Sequence, residues 1–346
     1  MKSLKAQAEG SDEPAEGARA AYESQLKRFA PILAGYLREL ADVAKNDGAS
    51  VKPLLRAYEL DPAATEGALA RCVAELQKKE DWPRAAEVLA GAQRVKPDER
   101  RAQLLLDLEF KAAEKEPLLR KAKDHPLRYY LSLPKGWQRG KKYPILVTVD
   151  GAGCNFLGSA RSYTSRRGDE PYIVVAPCTF INTSNHARGN YAMYSDEEWK
   201  RIQELPGSAA TFDHDGLLKV LDDVRADFGG EEKFYMTGFS GGGNLTWIMI
   251  FLHPEMLAAA APACPNCIPL RKVSDHEARK TLPVHVYQGD KDQFLATILE
   301  PQWRLVQAMA RAGGFEKIDR EMLPGVGHSP CVEKVLGYFN GIRKGK

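Results

Sequence analysis

The stretch KFYMTGFSGGGNLTWIMI, residues 233–250, constrains the fold of this chain more than any other feature. An apolar run ending at Gly238 meets an apolar run beginning near Gly242, with only Phe239-Ser240-Gly241 between them. A strand that turns this sharply into a helix strains the backbone of its central residue, and side chains two positions to either side would collide. Glycine at 238 and at 242 removes those collisions. Such a turn lifts the Ser240 hydroxyl above a sheet and aims the free N–H groups of the helix start at any negative charge that develops beside it.

The surrounding pattern supplies the sheet. Strands are predicted at residues 127–134, 143–150, 172–177, 233–238, 257–263, 283–289 and 318–324. The third to sixth of these are near-continuous apolar runs, as expected of strands covered on both faces. Helical stretches at 215–228, 242–253, 300–312 and 332–342 alternate with them. The expectation is a mostly parallel α/β sheet with helices on both sides. Residues 154–206, rich in Gly, Ser, Asn, Arg and Tyr, read as long loops carrying a single strand. The segment 182–195 within them is expected to overhang the strand ends and shape a cleft.

A serine hydroxyl becomes a useful nucleophile when a base takes its proton, and the base needs a third group to fix its tautomer. His328, in the Gly/Pro-bounded loop LPGVGHSP after the last strand, is the histidine placed to reach back over the sheet. Strand PVHVYQG is followed by Asp290-Lys291-Asp292, so two carboxylates compete for the acid's role. Asp292 is preferred, because a turn starting at Gly289 needs a few residues to bring the acid beneath an imidazole. Asp290 then serves the turn.

Three segments carry a family likeness: YYLSLPKGW with KKYPILVTVDGAG; FYMTGFSGGGNLTWIMIFLHPEMLAAAAPACPN; and VHVYQGDKDQF with PGVGHSP. Together they span residues 127–346 and resemble the α/β-hydrolase superfamily, in particular the group of feruloyl esterases and polyhydroxybutyrate depolymerases. The resemblance implies an α/β-hydrolase fold and a Ser-Asp-His triad of Ser240, Asp292 and His328. It implies hydrolysis of a carboxylic ester through an acyl-enzyme, with Gly238, Phe239 and Gly242 shaping the nucleophile's turn. The oxyanion hole it implies uses the backbone amides of Gly241 and Ala152. The family commonly has His-Gly after the oxyanion strand where this chain has Asp150-Gly151. A peptidase or an acyltransferase would use the same triad.

Residues 20–124 are rich in Ala, Leu, Glu, Lys and Arg with apolar residues at helical spacing, and read as a separate helical region ahead of a catalytic domain at 125–346. LLRAYELDP at 54–62 recurs 35 residues later as LAGAQRVKP at 89–97, which resembles tetratricopeptide repeats. That likeness implies a protein or peptide contact through these helices, and a rival reading makes the chain an interaction protein on a non-catalytic scaffold. Residues 1–19 read as a disordered segment.

The charge balance, +3 with no dense Lys/Arg block, predicts no nucleic-acid partner. No apolar run approaches the length of a membrane span, and the first residues lack an apolar leader. As written the chain suits the cytoplasm, with export the alternative where a leader has been removed. Six cysteines are too sparse for a disulfide scaffold. Cys264-Pro265-Asn266-Cys267 has no second ligand pair at zinc-like spacing, so a local disulfide or two inert thiols are expected, with no metal and no cofactor.

Overall fold

The computed structural model describes residues 16–43 and 51–345. They divide into two compact units, one ending at Ala112 and one beginning at Ala113.

The first unit is helical: α1 (Glu16–Val43), α2 (Val51–Leu60), α3 (Pro62–Lys78), α4 (Trp82–Val95) and most of α5 (Glu99–Lys115). Residues 1–15 of the expected disordered segment lie outside the described residues. Residues 16–19 belong to α1, a correction at that boundary. The repeated positions Leu54 and Ala57 on α2, and Leu89 and Ala92 on α4, are all buried. The two helices pack on each other, the small alanines permitting close approach. Pro62 opens α3: Asp61 accepts the Ala64 amide at 3.0 Å, and proline in the first turn forfeits no helical hydrogen bond.

The second unit is built on one eight-stranded sheet: β1 (Leu118–Lys121), β2 (Arg128–Ser132), β3 (Tyr143–Val149), β4 (Ile173–Pro177), β5 (Gly230–Gly238), β6 (Leu257–Ala260), β7 (Val284–Gly289) and β8 (Ile318–Leu323). Its order is β1-β2-β4-β3-β5-β6-β7-β8. The β1–β2 and β2–β4 pairs are antiparallel and the rest parallel. Every residue of β3 and β4 is buried, as strands with helices on both faces require. Around the sheet lie α6 (Phe156–Arg166), α7 (Asp196–Glu204), α8 (Ala209–Phe228), α9 (Gly243–Leu252), α10 (Glu300–Gly313) and α11 (Val332–Lys344).

The structure moves two expectations. The unit boundary falls inside α5 rather than at residue 124, because β1, in a stretch expected to be helical, pairs with β2. The Ser132 hydroxyl and the Leu133 amide also both donate to the Ala113 carbonyl. Residues 154–206 hold two α-helices and a short 3-10 helix (Arg188–Tyr191) besides β4. Asn155 caps α6 by accepting the Gly158 amide at 3.1 Å, and Ser195 with Glu198 forms a reciprocal capping box at the start of α7. Among the described residues no helix is long and apolar enough to cross a membrane.

Candidate active site

Ser240 stands between β5 and α9 with φ at +51°, in the left-handed region that costs an L-residue about 1–2 kcal/mol. Its conformation is held from both sides. The Ser240 amide donates to Ala263 at 3.2 Å, and its carbonyl accepts the Asn266 amide at 2.8 Å. The flanking glycines are required by contact: a methyl group at Gly238 would lie 2.4 Å from the Gly242 carbonyl oxygen, and one at Gly242 would lie 2.3 Å from that of Val149. The hydroxyl of Ser240 donates to Asn266 Oδ1 at 3.5 Å, a long contact that holds it weakly. Asn266 is itself anchored, donating to Gln302 Oε1 at 3.2 Å.

Asp292 and His328 come together from the loops after β7 and β8. His328 Nδ1 lies 2.7 Å from Asp292 Oδ2. The Asp292 side chain is fully buried, and its other oxygen accepts the Phe294 amide at 2.9 Å. Gln288 Nε2 donates to Oδ2 at 3.2 Å. Burial works against its charge, but hydrogen bonds from His328, the Phe294 amide and the Cys264 thiol outweigh burial and hold its pKa below the ordinary value. Asp290, the competing carboxylate, instead accepts the Gly325 amide at 2.7 Å and closes the neighbouring turn. The imidazole sits between Phe239 and Phe294, with ring centroids 4.7 and 5.0 Å away, so the residue beside the nucleophile also packs on the histidine. With Nδ1 committed to the carboxylate, Nε2 is the nitrogen left for proton transfer.

The Gly241 and Ala152 amides lie at the starts of the segments after β5 and β3. Among the described residues, neither donates to a backbone carbonyl. Gly241 is pressed against the loop after β4: a methyl group there would lie 1.9 Å from the Asn182 carbonyl oxygen. Asn182 in turn donates through Nδ2 to the Gly151 carbonyl at 2.7 Å, so one side chain links the two segments. Asp150, where the esterase group the sequence resembles commonly has histidine, accepts the Asn155 amide at 2.6 Å and fastens the turn to the cap of α6. Burial pushes its carboxyl above the ordinary range.

Sequence reading gave no individual role in the site to four contributors: Asn182, Asn266, Cys264 and Asp213. Asp213, on α8, is fully buried and accepts the Phe180 and Ile181 amides, each at 2.7 Å, which fixes the loop leading to Asn182. No local pattern marks it. Cys264 and Cys267, expected to pair or lie idle, are both free and buried. The Cys264 sulfur, the Asp292 carboxylate and a His328 ring nitrogen lie within 4.8 Å of one another. Burial pushes the Cys264 thiol up to about 11, so it stays protonated at neutral pH and donates to Asp292. The segment 182–195 packs Tyr191 and Tyr194 around Phe180, and a cavity of about 270 Å³ opens beside it, lined by Phe180, His186, Ile202, Leu205 and Phe212.

A scan against known protein families finds no match. A probable carboxylesterase from Oryza sativa subsp. japonica is 28% identical over 156 residues, covering 42% of this chain and 57% of that protein. The match therefore spans little more than half of that relative. Among solved structures, poly(aspartic acid) hydrolase-1 from Sphingomonas sp. KT-1 superposes with a TM-score of 0.46 at 16% identity, over 65% of this chain and 96% of the other. A putative dienelactone hydrolase from Klebsiella pneumoniae subsp. pneumoniae gives 0.46 at 18% identity, over 66% and 96%. Independently of those similarities, an order of strands running 1-2-4-3-5-6-7-8, with a strained serine where β5 enters its helix, gives this chain the α/β-hydrolase fold.

Proposed function

We propose that this protein is a serine hydrolase that cleaves a carboxylic ester through an acyl-enzyme intermediate, with Ser240 as nucleophile, His328 as general base and Asp292 as the residue that orients the histidine. The observation that carries the reading is the 2.7 Å contact between His328 Nδ1 and the buried Asp292 carboxylate, beside a serine in left-handed backbone geometry. Strain of that kind persists only where the surrounding structure imposes it. In this reading the Ser240 oxygen leaves its weak contact with Asn266, attacks the ester carbonyl and passes its proton to His328 Nε2. The Asp292 carboxylate stabilises the imidazolium, and the Gly241 and Ala152 amides receive the carbonyl oxygen as it turns negative. The proton then moves to the leaving alcohol. Water, deprotonated by the same imidazole, releases the acid and frees Ser240.

Cys264 is a poor rival nucleophile: it is fully buried, and its thiol is held protonated. The similarity to a probable carboxylesterase supports an ester over an amide. The test is hydrolysis of a panel of p-nitrophenyl esters by the wild type beside Ser240→Ala. The reading expects turnover that falls by at least about 10³-fold in the variant. Activity that survives the substitution, or none on any ester, would refute it. Faster cleavage of a matched amide, or transfer to an added alcohol in preference to water, would instead identify a peptidase or an acyltransferase.

A further inference from the structure

Away from the serine, a second constellation joins two histidines to which sequence reading gave no role. His214 lies near the start of α8, and His253 immediately follows α9. Their ring planes are nearly parallel, at 20°, and the rings meet edge to edge with centroids 5.0 Å apart. The two Nε2 atoms face each other at 2.8 Å. The other nitrogen of each ring faces a carboxylate: His214 Nδ1 is 2.7 Å from Asp215 Oδ1, and His253 Nδ1 is 3.5 Å from Glu255 Oε1. Glu255 Oε2 is buried without a hydrogen-bond partner among the described residues.

A neutral imidazole carries one N–H. When a carboxylate holds that hydrogen on Nδ1, the lone pair is left on Nε2. Asp215 orients His214 this way, and once Glu255 closes from its present 3.5 Å to do the same for His253, two lone pairs point at one spot, which is repulsive unless a cation lies between them. Carboxylates behind the imidazoles are also the arrangement that orients histidines and raises their basicity toward a metal ion. We infer that His214 and His253 form a binding site for a divalent transition-metal ion, stapling the start of α8 to the end of α9.

The geometry suits such an ion. Two metal–nitrogen bonds of about 2.0–2.1 Å at a tetrahedral angle place the nitrogens about 3.3 Å apart. The rings need to part by about half an ångström from their present 2.8 Å and to tilt so that their lone pairs converge beside the line joining the two nitrogens. Imidazole donors select zinc, copper or nickel over magnesium or calcium. The side chains are 20% and 26% exposed, so an ion can enter and water can fill its remaining positions. Asp213, next to His214, holds the loop that reaches Asn182 and Gly241. An ion here would thus stiffen the helix behind that loop without touching the serine, and the inference does not depend on the proposed activity.

The test titrates metal-stripped full-length protein with zinc chloride by calorimetry, beside His214→Gln and His253→Gln. The expected result is one ion per chain, with affinity reduced at least tenfold in either variant. At zinc one hundred times the dissociation constant the wild type should gain about 5 °C or more in unfolding midpoint. Cupric ion added to the wild type alone should show two equatorial nitrogens by electron paramagnetic resonance, a readout that does not depend on a variant folding. Absence of saturable heat would overturn the inference and leave a shared proton between the rings. Binding that survives both substitutions, or a copper spectrum with fewer than two nitrogens, would overturn it by putting the ion elsewhere, for instance among Cys264, Asp292 and His328.

Discussion

Asp213→Asn should make the protein more stable at neutral pH and leave it nearly unchanged in acid. The carboxyl is fully buried, and burial pushes its pKa from 3.8 to about 8, against the opposing effect of the Ile181 and Phe180 amides. Among the described residues Oδ1 has no hydrogen-bond partner. Because the folded state holds this proton to higher pH than the unfolded chain does, the associated stability is complete below about pH 4. It falls as pH rises toward the folded value. Each unit of separation is worth about 1.4 kcal/mol, so the wild type should lose about 4 kcal/mol between pH 4 and pH 7 through this group alone. Asparagine has the same shape, keeps an oxygen to accept both amides and carries no charge. The difference in unfolding free energy between variant and wild type isolates the group from every other titration. Guanidinium unfolding followed by tryptophan fluorescence, at half-unit steps from pH 4.5 to 8, measures it. The expected difference grows with pH in favour of the variant. A difference flat to within about 1 kcal/mol would show that Asp213 is ionised in the folded state at every pH tested, and that its two amide hydrogen bonds outweigh burial.

The site itself yields sharper contrasts. Asp292→Asn removes the charge that holds the His328 tautomer and should cut kcat by about 10³ to 10⁴-fold, whereas Asp290→Asn should keep kcat within a few-fold and cost about 1 kcal/mol through the weakened turn at Gly325; equal effects on ester turnover would undo the assignment. Gly241→Ala drives a methyl group into the Asn182 carbonyl, 1.9 Å away, and should lower kcat by at least tenfold with a much smaller change in KM. Wild-type kcat in that variant would remove Gly241 from the oxyanion hole.

Sequence alone reveals the sheet well and its surroundings poorly. The predicted strands coincide with β2 to β8 because each is a short apolar or alternating run bounded by Gly, Pro or Asp, and such runs carry their own signal. β1 hides in LLRK among lysines and glutamates, and its identity as a strand comes from pairing with β2. α7 has no buried residue, so no apolar stripe announces it, only its cap. The positions of Ser240, Asp292 and His328 can be reasoned from turn chemistry and order. Asn182, Asp213 and Asn266 cannot, since their partners lie far along the chain or on its backbone. His214 and His253 are 39 residues apart, and nothing in either neighbourhood points to the other.

The backbone at Ser240 also bears on how this protein responds to laboratory selection. A residue held at φ +51° would lose its steric penalty if it became glycine, a gain of about 1 kcal/mol less the added flexibility of the unfolded chain. Screened for heat resistance alone, a library of variants should therefore be drawn toward Ser240→Gly, which is expected to unfold no more readily than the wild type and, on the proposed mechanism, to lose its nucleophile. Durability and turnover pull in opposite directions at this one position, so any campaign to harden the protein has to score both in the same round.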